Sequence, residues 1–174
     1  STAVFVHGAA SFTADDAAAF ASENPELVQR WGRLNAELRA DDLTDEERTA
    51  RMKEFWLSEY FPRAMADPEA TGPLVRDAFQ PAQFSYRHAE YTQRTYPLFD
   101  AVDRLAGIPV RSLVIAGTAD LMKVDRVREL AEGLPDATLA VFEDSGHFAP
   151  IEEPLRFKRT VLDFWGVGDE SARR

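Results

Sequence analysis

Ser112-Leu113-Val114-Ile115-Ala116-Gly117-Thr118-Ala119-Asp120 is the stretch that decides the fold. A continuous apolar run closed by glycine is the pattern of a strand covered on both faces, as in a parallel sheet flanked by helices. Downstream, Val124 to Leu134 reads as a helix closed by Gly133-Leu134-Pro135, and Thr138-Leu139-Ala140-Val141-Phe142 reads as the next strand. Ile151 to Trp165 then reads as a helix with Pro154 in its first turn, where proline is tolerated. Strand, helix, strand, helix at this spacing predicts a parallel α/β unit over 108–166.

Upstream, Ala3-Val4-Phe5-Val6, ended by Gly8, predicts a further strand buried on both faces, so that 1–10 adds to the same sheet. Between the two, 11–107 reads as helix after helix. Leu27, Val28, Trp31, Leu34 and Leu38 recur at helical spacing, and Met52, Phe55, Trp56 and Tyr60 form a second stripe. Thr44 and Glu47 make a capping box with an acidic first turn. Trp31, Trp56 and the tyrosines at 60, 86, 91 and 96 read as core of this helical region, and His88 as a surface residue. The acidic run Asp41 to Glu47 reads as a solvated loop and helix start, and 167–174 as a polar tail.

The 174 residues, 45% hydrophobic and 29% charged, suit one domain or a sheet layer with a helical insertion. A net charge of −10 disfavours nucleic acid and anionic membrane surfaces as partners. No apolar run reaches the roughly 20 residues of a membrane-spanning helix. No secretory signal is visible, and a cytoplasmic location is expected. The absence of cysteine excludes disulfides and thiolate chemistry. With three histidines and no His-x3-His pair, no metal site and no cofactor are expected.

Parallel sheets carry functional groups on loops at the carboxyl ends of their strands. Two such loops hold a titratable pair: Asp120 in Gly117-Thr118-Ala119-Asp120, and His147 in Asp144-Ser145-Gly146-His147. Adjacent strands bring the two together, and an aspartate beside a histidine fixes the imidazole tautomer and stabilises imidazolium, as a general base requires. Gly146 reads as the residue that lets the chain turn before His147. Met122 and Phe148 adjoin the pair and are candidates to line a substrate pocket, although either could equally be packing.

The stretches Leu113-Val114-Ile115-Ala116-Gly117-Thr118-Ala119-Asp120, Asp144-Ser145-Gly146-His147 and Glu152-Glu153-Pro154 together resemble the C-terminal end of α/β-hydrolases. With Leu43-Thr44-Asp45-Glu46-Glu47-Arg48 and Tyr60-Phe61, the chain resembles the proline iminopeptidase-like branch. The resemblance implies a partial α/β-hydrolase fold of about three parallel strands with a helical cap. It implies Asp120 as triad acid, His147 as triad base, and ester, amide or peptide hydrolysis, with aminopeptidase-like action on a small-molecule or short-peptide substrate. One element of the family pattern is missing: no serine lies in G-x-S-x-G, the turn that presents the nucleophile. His7-Gly8 fits either an oxyanion loop or the end of the strand that feeds the cap. The second placement is preferred because the intervening strands have no room in the first, and it makes His7 a mere strand-end residue. The expected partner is then the N-terminal half of a hydrolase, or a second copy, pairing along the open strand edge. A non-hydrolytic small-molecule-binding protein on the same scaffold, or an interaction module, is the alternative.

Overall fold

The computed structural model describes residues 1–40, 42–95 and 97–167. The polar tail from 168 on, Tyr96, and Asp41 at the head of the acidic run lie outside the described residues. The chain separates into two compact units, a sheet unit (Ser1–Ser11, Ala64–Asp67, Ala101–Arg174) and a helical unit (Phe12–Arg63, Pro68–Asp100).

The sheet unit is built on three parallel strands in the order β1–β4–β5, namely β1 (Thr2–Val6), β4 (Arg111–Gly117) and β5 (Ala137–Phe142). Two short strands, β2 (Ser11–Phe12) and β3 (Phe99–Asp100), flank the helical unit in sequence. Val4 pairs in register with Leu113, and Leu113 with Thr138. β4 is the centre, buried from Ser112 to Gly117. Its alternate residues face opposite ways, as a pleat requires. Val114 and Ala116 pack with Val127 and Leu130 of α7 (Val124–Gly133) and with Leu105 of α6 (Val102–Leu105). Leu113 and Ile115 pack with Phe142 and with Val161 and Phe164 of α9 (Pro154–Trp165). The side chains from Leu113 to Ala116 therefore sit in helix-covered layers, and β4 pairs with a strand on each side.

The burial predicted for Ala3-Val4-Phe5-Val6 does not hold within this chain. Thr2 and Val6 are exposed, and the three residues between them are half-buried. β1 is outermost in the strand order, with a neighbour on one side only among the described residues. The long C-terminal helix also begins later than the pattern suggested. Ala149–Glu152 forms its own turn, α8, and the chain breaks at Glu153, because the residue before a proline is pushed out of the helical region. Pro154 then occupies the first turn of α9.

The helical unit comprises α1 (Ala14–Glu23), α2 (Pro25–Leu38), α3 (Asp45–Phe55), α4 (Pro68–Phe79) and α5 (Tyr86–Thr95). The capping box at Thr44 is formed: the Thr44 amide donates to Glu47 (2.8 Å) and the Glu47 amide to the Thr44 hydroxyl (3.2 Å). Trp31 stacks near Phe55 at 5.1 Å and Trp56 near Tyr60 at 4.4 Å, an aromatic core as the spacing predicted. Tyr91 departs from that reading and is exposed. His88 is exposed on α5. The predicted boundaries of 11–107 enclose two stretches that belong to the sheet unit, Ala64–Asp67 and the segment carrying α6. No helix among the described residues is long and apolar enough to cross a membrane.

Candidate active site

β4 and β5 are adjacent and parallel, so the loops after Gly117 and Phe142 leave the sheet at the same end. Their backbones interlock: Thr118 N–H donates to the Phe142 carbonyl at 3.0 Å and Ala119 N–H to the Ser145 carbonyl at 3.1 Å. This close approach needs glycine. A Cβ on Gly117 would meet the Gly146 carbonyl oxygen at 2.2 Å, and one on Gly146 would meet the Ala64 carbonyl oxygen at 2.1 Å. Gly146 is thus required for contact with neighbouring backbone. The chain bends at Gly146 before His147, as read from the sequence, without a positive φ there.

The loops bring Asp120 and His147 together. His147 Nδ1 lies 2.8 Å from Asp120 Oδ2. The Asp120 side chain is 3% exposed and that of His147 is 43% exposed, so the carboxylate is buried and the imidazole reaches solvent. Met122 N–H donates to Asp120 Oδ1 at 3.1 Å. Burial alone pushes the Asp120 carboxyl up. The imidazoles of His147 and His7 and the Met122 amide outweigh that penalty and hold it at about 2, against an ordinary 3.8. At neutral pH Asp120 is a buried anion bonded to a histidine, the arrangement that fixes an imidazole as a base with Nε2 free to act.

Met122 and Phe148, the two predicted pocket residues, have defined places. The Met122 side chain packs against the α7-side core. Phe148 is buried and sets its ring edge-on to His147, with centroids 5.4 Å apart. Phe148 thus packs against His147, while Met122 touches Asp120 through its backbone amide.

Two residues escaped the sequence reading. The first is Glu152. Its carboxylate accepts from the amides of Gly146 (2.9 Å), Phe148 (3.1 Å) and Ala66 (2.8 Å). With His147 N–H donating to the Ala64 carbonyl at 2.6 Å, this clamps the backbone on both sides of His147. The Glu152-Glu153-Pro154 signature is the legible trace of the clamp, as Glu153 also accepts from the Ser145 hydroxyl at 2.8 Å. The second is His7. It is read in sequence as a strand-end residue, yet its Nδ1 lies 3.0 Å from Asp120 Oδ2 and its ring centroid 5.0 Å from that of His147. The contact is close but lacks the alignment of a hydrogen bond, and neither ring nitrogen has a hydrogen-bond partner. His7 holds φ at 53°, a conformation uncommon outside glycine, and this turns its ring inward off β1. One donor atom each from His7, Asp120 and His147 lies within 4.8 Å of the others, the one such group among the described residues.

The architecture recurs in solved structures. Over 94% of the chain, the structure matches an alpha/beta fold family hydrolase from Bacillus anthracis str. Sterne (TM-score 0.62, 22% identity, 58% of that chain covered). It matches a hydrolase from Pseudomonas aeruginosa PA01 over the same share (TM-score 0.60, 22% identity, 54% covered). The fold is that of the α/β-hydrolases. The enol-lactonase from Burkholderia xenovorans LB400 matches over 78% of the chain and 50% of its own (TM-score 0.56, 22% identity). In sequence, "Putative carbamate hydrolase RutD" of Pseudomonas savastanoi pv. phaseolicola is 43% identical over 67 residues, 38% of this chain and 26% of its own length. The 2-hydroxy-6-oxononadienedioate/2-hydroxy-6-oxononatrienedioate hydrolase 2 of Pseudomonas putida is 38% identical over 72 residues, 41% of this chain and 24% of its own. These matches span about a quarter of the curated relatives' length. No protein-family model matches the chain.

Proposed function

We propose that this chain is the acid-and-base portion of a serine hydrolase of the α/β-hydrolase fold. Asp120 is the triad acid and His147 the general base, and the nucleophilic serine is supplied by a segment outside this sequence. The observation that carries the reading is the 2.8 Å contact between a buried, ionised Asp120 and a solvent-reaching His147 on consecutive parallel strand ends. The relatives' hydrolase names support it. The serines support the division of labour. The hydroxyls of Ser11, Ser112 and Ser145 donate to Glu129, the Val110 carbonyl and Glu153, so none of the three is poised against His147.

In the mechanism so derived, His147 Nε2 takes the proton of the incoming serine hydroxyl as its oxygen attacks a substrate carbonyl. Asp120 holds Nδ1–H and stabilises the imidazolium that forms. The proton then passes to the leaving group, and the same base activates water to release the acyl group. The helical unit is the counterpart of the cap, and Met122 and Phe148 belong to the wall of the site. The relatives' names favour a small carbamate or oxo-acid substrate over the amino-terminal peptide bond of an iminopeptidase. A partner strand along β1, from the N-terminal half of the enzyme, and a cytoplasmic setting complete the reading.

The test is complementation. The chain is combined with a segment carrying the earlier strands and the serine turn, and hydrolysis of a p-nitrophenyl ester is followed. His147→Ala abolishes turnover, and Asp120→Asn lowers kcat by about 10⁴ through the wrong tautomer. A complemented enzyme that retains full turnover with His147→Ala overturns the assignment.

A further inference from the structure

His7 is the one buried titratable side chain that the proposed chemistry leaves unused. Its side chain is 1% exposed, and both ring nitrogens lack a hydrogen-bond partner. A buried polar group left unpaired is costly, and native structures keep few of them without a reason. The ring is also held there by a left-handed backbone at φ 53°. Its Nδ1 sits 3.0 Å from Asp120 Oδ2, the same oxygen that His147 Nδ1 approaches at 2.8 Å.

We propose that His7, Asp120 and His147 form a binding site for one divalent transition-metal ion, held by two imidazole nitrogens and one carboxylate oxygen. The donor set selects the ion's class. Imidazole nitrogen suits Cu²⁺, Ni²⁺ and Zn²⁺, whereas Ca²⁺ and Mg²⁺ take oxygen ligands. Spacing narrows the choice. With ligand atoms about 2 Å from an ion, the two nitrogen-to-carboxylate separations of 3.0 and 2.8 Å each subtend about 90° at it. That is the angle between neighbouring ligands of a tetragonal site, which Cu²⁺ and Ni²⁺ favour, and it is tighter than tetrahedral zinc requires. The rings enter neutral, each with its Nδ1 lone pair on the ion and its proton on Nε2. The solvent-reaching side of His147 is the entry path. Metal binding does not rest on the hydrolase reading. Its consequence does: an ion on His147 Nδ1 breaks the Asp120 pairing that makes His147 a base, so loading switches the hydrolase off.

The test uses the 174-residue chain, with Cu²⁺ alone as probe and electron paramagnetic resonance as readout. The expected result is one equivalent bound with splitting from two ring nitrogens, retained in His88→Gln and weakened at least about tenfold in both His7→Gln and His147→Gln. Circular dichroism verifies the fold of each variant. His147 is exposed, so its variant keeps the test decisive if His7→Gln fails to fold. Binding unaffected by His147→Gln, a signal from a single ring nitrogen, or loss of binding in His88→Gln overturns the site. Ester hydrolysis by the complemented enzyme is read separately, so failure of the triad assignment leaves the metal result standing, and the reverse.

Discussion

Asp120 carries two obligations in one side chain, orienting His147 and remaining charged while buried. Holding its carboxyl at about 2 instead of 3.8 means that the folded state favours the anion. The sign follows from linkage: a depressed carboxyl contributes stability above the unfolded value and loses it as pH falls through the folded one. The preference is worth roughly 2 kcal/mol, present above about pH 4 and gone below about pH 2. Urea denaturation from pH 5 to pH 2 measures it, and Asp120→Asn lacks this component of the acid-induced decline. Gly146 is the second residue on which the site hinges. Its missing Cβ leaves room for the Ala64 carbonyl, carbon as well as oxygen, and for Met65 Cα, and backbone cannot swing aside as a flexible side chain can. Gly146→Ala therefore destabilises by about 3 kcal/mol, the upper end of overpacking costs, read as a lower urea midpoint at unchanged slope.

Among the elements, the loop after β5 depends on α8 more than on its own sequence. Glu152 accepts three amide hydrogens with two oxygens. A glutamine can accept at one oxygen only and turns its own N–H toward a donor. Glu152→Gln is expected to cost about 2–3 kcal/mol, and amide hydrogen exchange at Gly146 and Phe148 rises selectively. This explains what sequence could and could not reveal. β4, β5, α7 and the placing of Asp120 and His147 follow from local patterns, apolar runs closed by glycine and a helix between them. The capping box at Thr44 was equally legible, since both partners lie within one turn. His7 was not legible as part of the cluster. Its role depends on a left-handed φ and on a neighbour far along the chain, neither of which leaves a periodic trace. The burial of β1 was misjudged for a related reason. An apolar run announces a strand that wants cover on both faces but cannot say whether the same chain provides it.

For the molecule as a whole, β1 is where the exposed consequences gather. It is the outermost strand, Val6 is 38% exposed, and only one side of β1 pairs among the described residues. An apolar strand with an unpaired edge recruits another strand. Light scattering of the purified chain is expected to give oligomers that collapse to one defined complex when the segment carrying the earlier strands is added. A stable monomer at high concentration contradicts the expectation. The same chain, taken alone, is expected to resist fluorophosphonate labelling, since no serine in it occupies a nucleophile turn.

The short stretch Ala64–Asp67 belongs to the sheet unit although helices precede and follow it in sequence. The helical portion is consequently two separate insertions, Phe12–Arg63 and Pro68–Asp100, and not one cassette. Exchanging it wholesale with that of another protein of this fold would remove the Ala64 carbonyl that receives His147 N–H and the Ala66 amide that Glu152 holds. Exchanging the two insertions separately, with the tetrapeptide between them left in place, preserves both bonds. Recombination of chains of this fold, in the laboratory or in evolution, has therefore to respect a splice point that only the folded chain makes visible.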